Sequence, residues 1–414
     1  MARDDGDEPR PTRRKCIAYG TTLLATGSLA GCSALSGQEA ESTETETQTG
    51  PSYSGTIEPV GERSLASEPE RIVGGWGFEE DVLTALGMAD KLVAAEGNQF
   101  WFTGFYDQLP GVDVPDPASL DLVRTEDWSL KTEYLYELDP DLFATDPNRF
   151  ISYYGADEAD ISEIEDSIAP FFGNASRRKR GDDWPTWPGD ESYAYYDIPE
   201  FVSRYGDLFG KSETAAAIND LYRSAMEDMR SRVPPESERP SVGLLNAQIN
   251  PDTEGSFHAY NPKTEIDKAY GKKQYRDLGV VDAFEGEYGG QSGIEVDYET
   301  LLDADPDVIV FHFGVNYRDW NDENALRKTV EGMRDSRLGQ ELTAVQDDEL
   351  YVGGSAYQGP IINLFQTEML GKQLYSDEFG EWPGEVTAAE LPTIPEDEQL
   401  FDREALAAAV TGSN

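Results

Sequence analysis

Apolar residues follow two rhythms along this chain. Continuous runs such as Ile72-Val73, Leu92-Val93-Ala94-Ala95, Leu142-Phe143-Ala144, Val308-Ile309-Val310-Phe311 and Leu350-Tyr351-Val352 read as strands buried on both faces. Between them, apolar residues recur three and four apart. Phe78, Val82, Leu83 and Leu86 share one helical face, and Gly87 closes that helix. The longest helical signal covers residues 212–233, with Ile218, Leu221, Tyr222, Ala225 and Met229 on one face. Ser212 is suited to cap it, and Pro234-Pro235 ends it. A later helix starts at Pro360, with Ile361, Leu364, Phe365 and Met369 on one side. Strand–helix–strand order implies parallel sheets. Residues 161–168 predict a further helix and residues 169–172 a strand. Residues 241–246 predict a strand followed by a polar loop with Gln248, His258 and Tyr260.

One pattern occurs twice. Glu133-Tyr-Leu-Tyr-Glu-Leu-Asp139-Pro140-Asp141 and Glu299-Thr-Leu-Leu-Asp-Ala-Asp305-Pro306-Asp307 match in Glu, Leu, an acidic residue and Asp-Pro-Asp, and an apolar run follows each. Proline lacks an amide hydrogen and disfavours helical geometry before it, so each copy reads as a short helix, a break and a buried strand. Two copies far apart predict two lobes of similar build. The fold class is therefore α/β, two βα lobes with central parallel-type sheets joined by one long helix. The boundaries read as residues 57–205, a linking helix in 206–235, and 236–414.

Charge changes the picture of the surface. Asp and Glu number 81 against 33 Lys and Arg, a net charge of −48 on 414 residues. The aromatic residues (17 Phe, 21 Tyr, 7 Trp) speak for a folded chain, so the carboxylates cover its surface. Self-repulsion on this scale needs salt to screen it, as in a halophile protein. Nucleic acid is excluded as a partner, because its phosphates would be repelled. Arg177-Arg178-Lys179-Arg180 is the sole basic cluster in the folded part, and reads as a solvated loop paired with local carboxylates; the other reading is an attractor for an anionic ligand or partner. Asn174-Ala-Ser176 is the one glycosylation sequon.

The N-terminus reads as an address and an anchor. Arg13-Arg14-Lys15 precedes a small apolar stretch at 17–30, too short to span a bilayer, and paired arginines fit twin-arginine export. Leu29-Ala30-Gly31-Cys32 is similar to a lipobox, so residues 1–31 form the signal and Cys32 the lipid attachment point. The other cysteine, Cys16, would leave with the signal, and no disulfide is expected. Residues 32–56 are polar and acidic, and predict a disordered tether that holds the folded part at the outer face of the cell membrane.

The order of these parts resembles the class III solute-binding proteins of ABC importers, which carry ferric siderophores, cobalamin or haem. The resemblance covers about residues 60–380 and rests on Asp81-Val-Leu-Thr-Ala-Leu86-Gly87 with Lys91-Leu92-Val93, on both Asp-Pro-Asp units, and on residues 270–283 and 344–352. It implies an extracytoplasmic lipoprotein, monomeric, whose partners are a permease and its ATPase subunits. One glutamate per lobe docks onto permease arginines in that family; by position these are Glu133 and Glu299. Each also stands in the first turn of a helix, where the helix dipole favours it by about 0.3–1 kcal/mol.

Ligands of open α/β sheets bind beyond the carboxyl ends of strands. That edge holds Trp76, Trp101, Phe102, Tyr106, Asn148, Arg149 and Phe150 from the first lobe, and His258, Tyr260, His312, Asn316, Tyr317, Tyr357 and Gln358 from the second. The ligand-binding residues are expected to be Trp76, Trp101, Tyr106, Arg149, His258, Tyr260, Tyr317 and Tyr357. Their aromatic surface suits a large, partly flat ligand, an iron(III) chelate by resemblance, with cobalamin or haem as the alternative. Arg149 or a histidine would meet chelate oxygens. Relatives that carry a bare zinc or manganese ion use several histidines with a carboxylate; with two histidines in the chain, no resident metal or cofactor is expected. No Gly-x-Ser-x-Gly elbow, glycine-rich phosphate loop or His-Glu-x-x-His occurs, so the chain does not read as an enzyme. A surface adhesion protein would account for tether and acidity, but not for repeated βα lobes.

Overall fold

Two open sheets organise the chain, each grown from the continuous apolar runs. The computed structural model describes residues 53–182, 184, 185, 187, 188, 193–247, 255–316, 325–388 and 390–413. The paired arginines, Cys32, Gln248, Tyr317 and nearly all of the tether lie outside the described residues.

A hairpin, β1 (Ser54–Ile57) and β2 (Gly61–Ser64), leads into β3 (Ile72–Gly74), α1 (Phe78–Ala85), β4 (Leu92–Ala95), β5 (Asp121–Leu122), α2 (Thr132–Leu138) and β6 (Leu142–Phe143). These form the first sheet, in the order β5-β4-β3-β6 and parallel throughout. Of the strand predicted at 169–172, Phe171 makes a single parallel bridge to Phe143. Helices α3 (Asn148–Tyr154), α4 (Glu158–Ser167) and α5 (Ile198–Leu208) follow. The long α6 (Ser212–Ser231) comes next, about 30 Å at 1.5 Å per residue. Ser212 is its first residue rather than its cap: the hydroxyl donates to Asp207 (2.8 Å), and Lys211 stands at the cap position.

The second sheet uses β7 (Ser241–Asn246), β8 (Ser256–Tyr260), α7 (Lys273–Asp277), β9 (Val281–Asp282), β10 (Gly293–Asp297), α8 (Tyr298–Ala304), β11 (Val308–His312), α9 (Ala325–Asp335), α10 (Thr343–Gln346) and β12 (Leu350–Val352). Its order is β10-β8-β7-β11-β12, with β9 beside β7. The centre is parallel, but β8 and β10 run antiparallel at one edge, so this sheet is mixed. His258 and Tyr260 therefore sit on a strand, not in the expected loop. Phe257 and Ala259 are buried and their neighbours half-buried, the alternation of a sheet edge with one wet face.

The last helices are α11 (Pro360–Leu374), α12 (Ser376–Phe379) and α13 (Arg403–Thr411). Every residue of α11 is buried; it packs against α1, α5, α6 and α7. The chain end returns to the first sheet, where α13 packs against α6 and α1. Arg403 bridges Glu368 on α11 (2.5 Å) and Gln108 beside the first sheet. The lobes are thus joined by a hub of helices, of which α6 is one member. Among the described residues no helix is long and apolar enough to cross a membrane.

The repeated pattern forms the same joint twice. Asp139 (φ 45°) and Asp305 (φ 37°) end α2 and α8 in the left-handed conformation, and the proline that follows each is buried. The second aspartate then reaches the start of the neighbouring strand. Asp141 accepts the amides of Glu70 and Arg71 (2.8 and 3.0 Å) before β3, and Asp307 accepts the amide and hydroxyl of Ser241 (both 2.8 Å) at β7. Glu133 and Glu299 stand exposed in the first turns of α2 and α8. Asn174 is buried and donates to the carbonyls of Glu58 and Ala194, so its sequon faces inward.

Candidate functional site

The loops that follow the parallel strands of both sheets converge on one cleft. From the first sheet come residues 75–77, 96–104 and 144–148; from the second, residues 313–316 and 353–359. Aromatic rings meet there from both sides. Tyr357, after β12, lies 4.6 Å from Phe100 and edge-on to Trp76 at 5.7 Å. Trp76 continues the row to Tyr153 (4.9 Å) and Trp128 (5.9 Å). Trp128 is 38 % exposed, with Arg124 over its ring at 4.1 Å. Asn316 donates to the carbonyl of Phe100 (3.3 Å), and Tyr270 stacks on Phe78 at 3.8 Å.

The basic run lies at this cleft. Ser176 and Arg177 accept the amides of Tyr270 and Gly271 (3.2 and 2.9 Å), which pins the run to the second lobe. The Arg177 guanidinium lies 5.1 Å over the Tyr357 ring and that of Arg180 4.0 Å over Trp184. A cavity of about 510 Å³ opens beside them, walled by Tyr153, Arg178, Arg180 and Trp184 on one side and Thr264 and Glu265 on the other. A second cavity, about 590 Å³, is lined by Trp101, Phe102, Asp107, Asp116, Asn316 and Glu390.

Behind the rings sits a buried acid cluster that the helical pattern of residues 79–86 did not reveal. Glu79, Glu80 and Asp81 of α1 and Glu96 after β4 are all at most 1 % exposed. Arg149 pairs with Glu79 (2.7 Å) and Glu96 (3.7 Å), and donates to the Tyr270 hydroxyl across the cleft (3.3 Å). Burial disfavours its charge, but Glu79, Tyr270 and Glu96 outweigh that and hold it protonated. Burial raises Glu96 to about 7, although Arg149 pulls it down, and raises Glu80 to about 8, helped by Glu79. Asp81 accepts the Tyr106 hydroxyl (2.7 Å) and the amide of Ile362 (2.9 Å). It thereby caps α11, whose own cap residue, Gly359, has no side chain to do so. Burial pushes Asp81 to about 7, against the pull of these donors.

The residues expected to bind ligand have distinct surroundings. Trp76 and Tyr357, each 6 % exposed, pack edge-on against each other where the lobes meet. Trp101 is 3 % exposed at the edge of the larger cavity and donates to Tyr106 (2.9 Å). Tyr106 is buried and engaged by Asp81. Arg149 lies within the acid cluster. His258 pairs with Glu295 (2.6 Å) on the strand edge, and Tyr260 accepts from Asn246 (3.1 Å). His312 is buried, with Nδ1 3.1 Å from the Tyr275 hydroxyl. Burial, then Lys272 and Arg177, push His312 well below the ordinary imidazole value. Phe100, Tyr153 and Arg177 stand in the cleft although the expected binding set omits them. Arg177 had a signal, as part of the one basic run.

The sequence profile of the periplasmic binding proteins matches residues 77–357. Solved structures repeat the fold. The haem-binding protein HmuT superposes with a TM-score of 0.52 at 16 % identity, over 79 % of this chain and 92 % of its own. The TroA-like periplasmic binding protein FepB from Veillonella parvula gives 0.52 at 16 %, over 77 % and 88 %. Another periplasmic binding protein from Veillonella parvula gives 0.51 at 15 %, over 78 % and 98 %. No curated protein matches the sequence. With its profile covering most of the chain and two βα lobes facing a shared cleft, the protein belongs to the periplasmic binding protein family, in line with the resemblance to class III solute-binding proteins.

Proposed function

We propose that this chain is the membrane-anchored, extracytoplasmic solute-binding lipoprotein of an ABC importer, and that it captures an iron(III)-siderophore chelate between its lobes and delivers it to the permease. Cys32 would carry the lipid, and Glu133 and Glu299 would meet the permease. Trp76, Phe100, Tyr153 and Tyr357 would form the ligand's apolar bed. The observation that carries this reading is the meeting of aromatic rings from both lobes, with guanidinium groups of the first lobe beside them and a cavity at their edge. Such a surface suits a large, rigid, oxygen-rich ligand better than a bare ion. Haem, which one fold neighbour is named for binding, is the second reading. It is less favoured because His312 is buried against Tyr275 and His258 is paired with Glu295.

The test is a ligand titration. The full chain, held in molar KCl, is titrated with iron(III) catecholates, iron(III) hydroxamates, haem and cobalamin while its tryptophan fluorescence is followed. Quenching by an iron chelate at micromolar concentration or below supports the reading. Saturable binding of haem or cobalamin alone overturns it.

A further inference from the structure

The chain is covered in carboxylates, and its one run of four basic residues borders the cleft. Among the described residues, no ion pair engages Arg177, Arg178 or Arg180. The Arg180 guanidinium donates to the Ala175 carbonyl, and that of Arg177 faces a ring. One carboxylate, Glu265, shares the wall of the smaller cavity. It accepts the backbone amide of Lys179 (3.2 Å) and stands 3.8 Å from the ammonium of Lys272. The groups that act on the Arg177 charge are Tyr357, Tyr270 and Tyr153, then Glu265, so phenols outnumber carboxylates at this end of the cleft. Two groups on different lobes register the field. Burial alone would raise the Tyr153 hydroxyl, but Arg180, Arg177, Arg178 and Arg149 outweigh it and hold it below the ordinary tyrosine value. His312 is pushed down by burial, then by Lys272 and Arg177.

Resting on the iron-chelate reading, we propose that the cleft selects chelates of net negative charge, with Arg177 and Arg180 gripping the anionic oxygens and Arg178 at the rim. The class is iron(III) held by catecholates or α-hydroxycarboxylates. A tris-catecholate complex is trianionic, whereas a tris-hydroxamate complex is neutral. An anion would otherwise be repelled by this protein at long range. In molar salt the screening length falls to about 3 Å, which removes that repulsion and leaves contact pairs in a partly dry cleft in force. Planar guanidinium groups match paired oxygens and already stack on rings here.

The experiment compares an iron(III) tris-catecholate and a neutral iron(III) tris-hydroxamate of similar size, titrated into the full chain in molar KCl. Four proteins are used: wild type, Arg178→Gln, the pair Arg177→Gln with Arg180→Gln, and Arg223→Gln on the outer face of α6 as control. The wild type should bind the anionic chelate at least about tenfold tighter, the size of one charge-assisted hydrogen bond. The double variant should lose that preference, its affinity for the anionic chelate falling at least about tenfold more than its affinity for the neutral one. Arg178→Gln, at an exposed position that folding tolerates, should lower anion affinity severalfold. Equal or tighter binding of the neutral chelate by the wild type overturns the charge selection and leaves the iron-chelate reading standing. Failure of the folded wild type to bind either chelate removes both.

Discussion

Replacing Arg149 by methionine tests how the acid cluster is held. Methionine keeps most of the side chain's length and removes its charge. Arg149 is 2 % exposed, Glu79 1 % and Glu96 0 %, so water cannot take over for the lost cation. Breaking a buried pair by removing one partner costs about 3–5 kcal/mol. Two carboxylates lose their partner here, and Glu80 and Asp81 lie beside them, so the upper part of that range applies at pH 8. The cost should depend on pH. Glu96 and Glu80 hold protons in the folded state up to about 7 and about 8, whereas the unfolded chain releases them near 4.5. Ionising them in the fold is therefore a penalty that grows as pH rises through that window and vanishes below it. Without Arg149 the folded value of Glu96 rises further, so the variant's deficit should be largest at pH 8 and shrink towards pH 5. Urea unfolding in molar KCl at both pH values, with linear extrapolation, reads the difference. A variant within about 1 kcal/mol of wild type at pH 8, or a deficit that grows towards acid, would refute the reasoning.

Asp81→Ala strands the Ile362 amide and the Tyr106 hydroxyl in the hub and should cost about 1–3 kcal/mol by urea unfolding; an unchanged midpoint would show that α11 does not depend on this cap. Glu133→Ala and Glu299→Ala should leave chelate affinity unchanged, cost at most about 1 kcal/mol of stability, and together depress uptake more than either alone; normal transport by the double variant would leave them as helix-start residues only. With a net charge of −48, circular dichroism should report loss of structure as KCl falls from molar to millimolar, and full structure in low salt would contradict the screening argument.

The legible parts of the fold were those written in local periodicity. Buried runs give β3, β4, β6, β11 and β12, and three-and-four spacing gives α1, α6 and α11. What periodicity could not carry was the second layer of packing. One apolar face can be read on each of α1 and α11, yet both are buried all round: α11 is enclosed by α1, α5, α6 and α7, and α13 packs back onto α1. The acidic residues of α1 are sheltered by residues far away in sequence, among them Arg149 and Ile362. In the cleft, Trp76 and Tyr357 were readable from their positions after strands. Arg149 was named as a ligand contact, but its partner Glu79 is 70 positions away. The basic run reads from sequence as a solvated loop, with an anion attractor as the alternative, since nothing local to it announces the backbone bonds that fix it against residues 270 and 271.

The Asp-Pro-Asp joints also have a mechanical side. Each clamps the end of an outer helix to the first residues of a central strand, by a carboxylate that grips two donors at once. A force applied to α2 or α8 thus passes within a few bonds into the stiffest part of its sheet, and neither helix can swing on its own. A partner that gripped these two helices would therefore hold handles fixed to the sheets rather than latches that move alone.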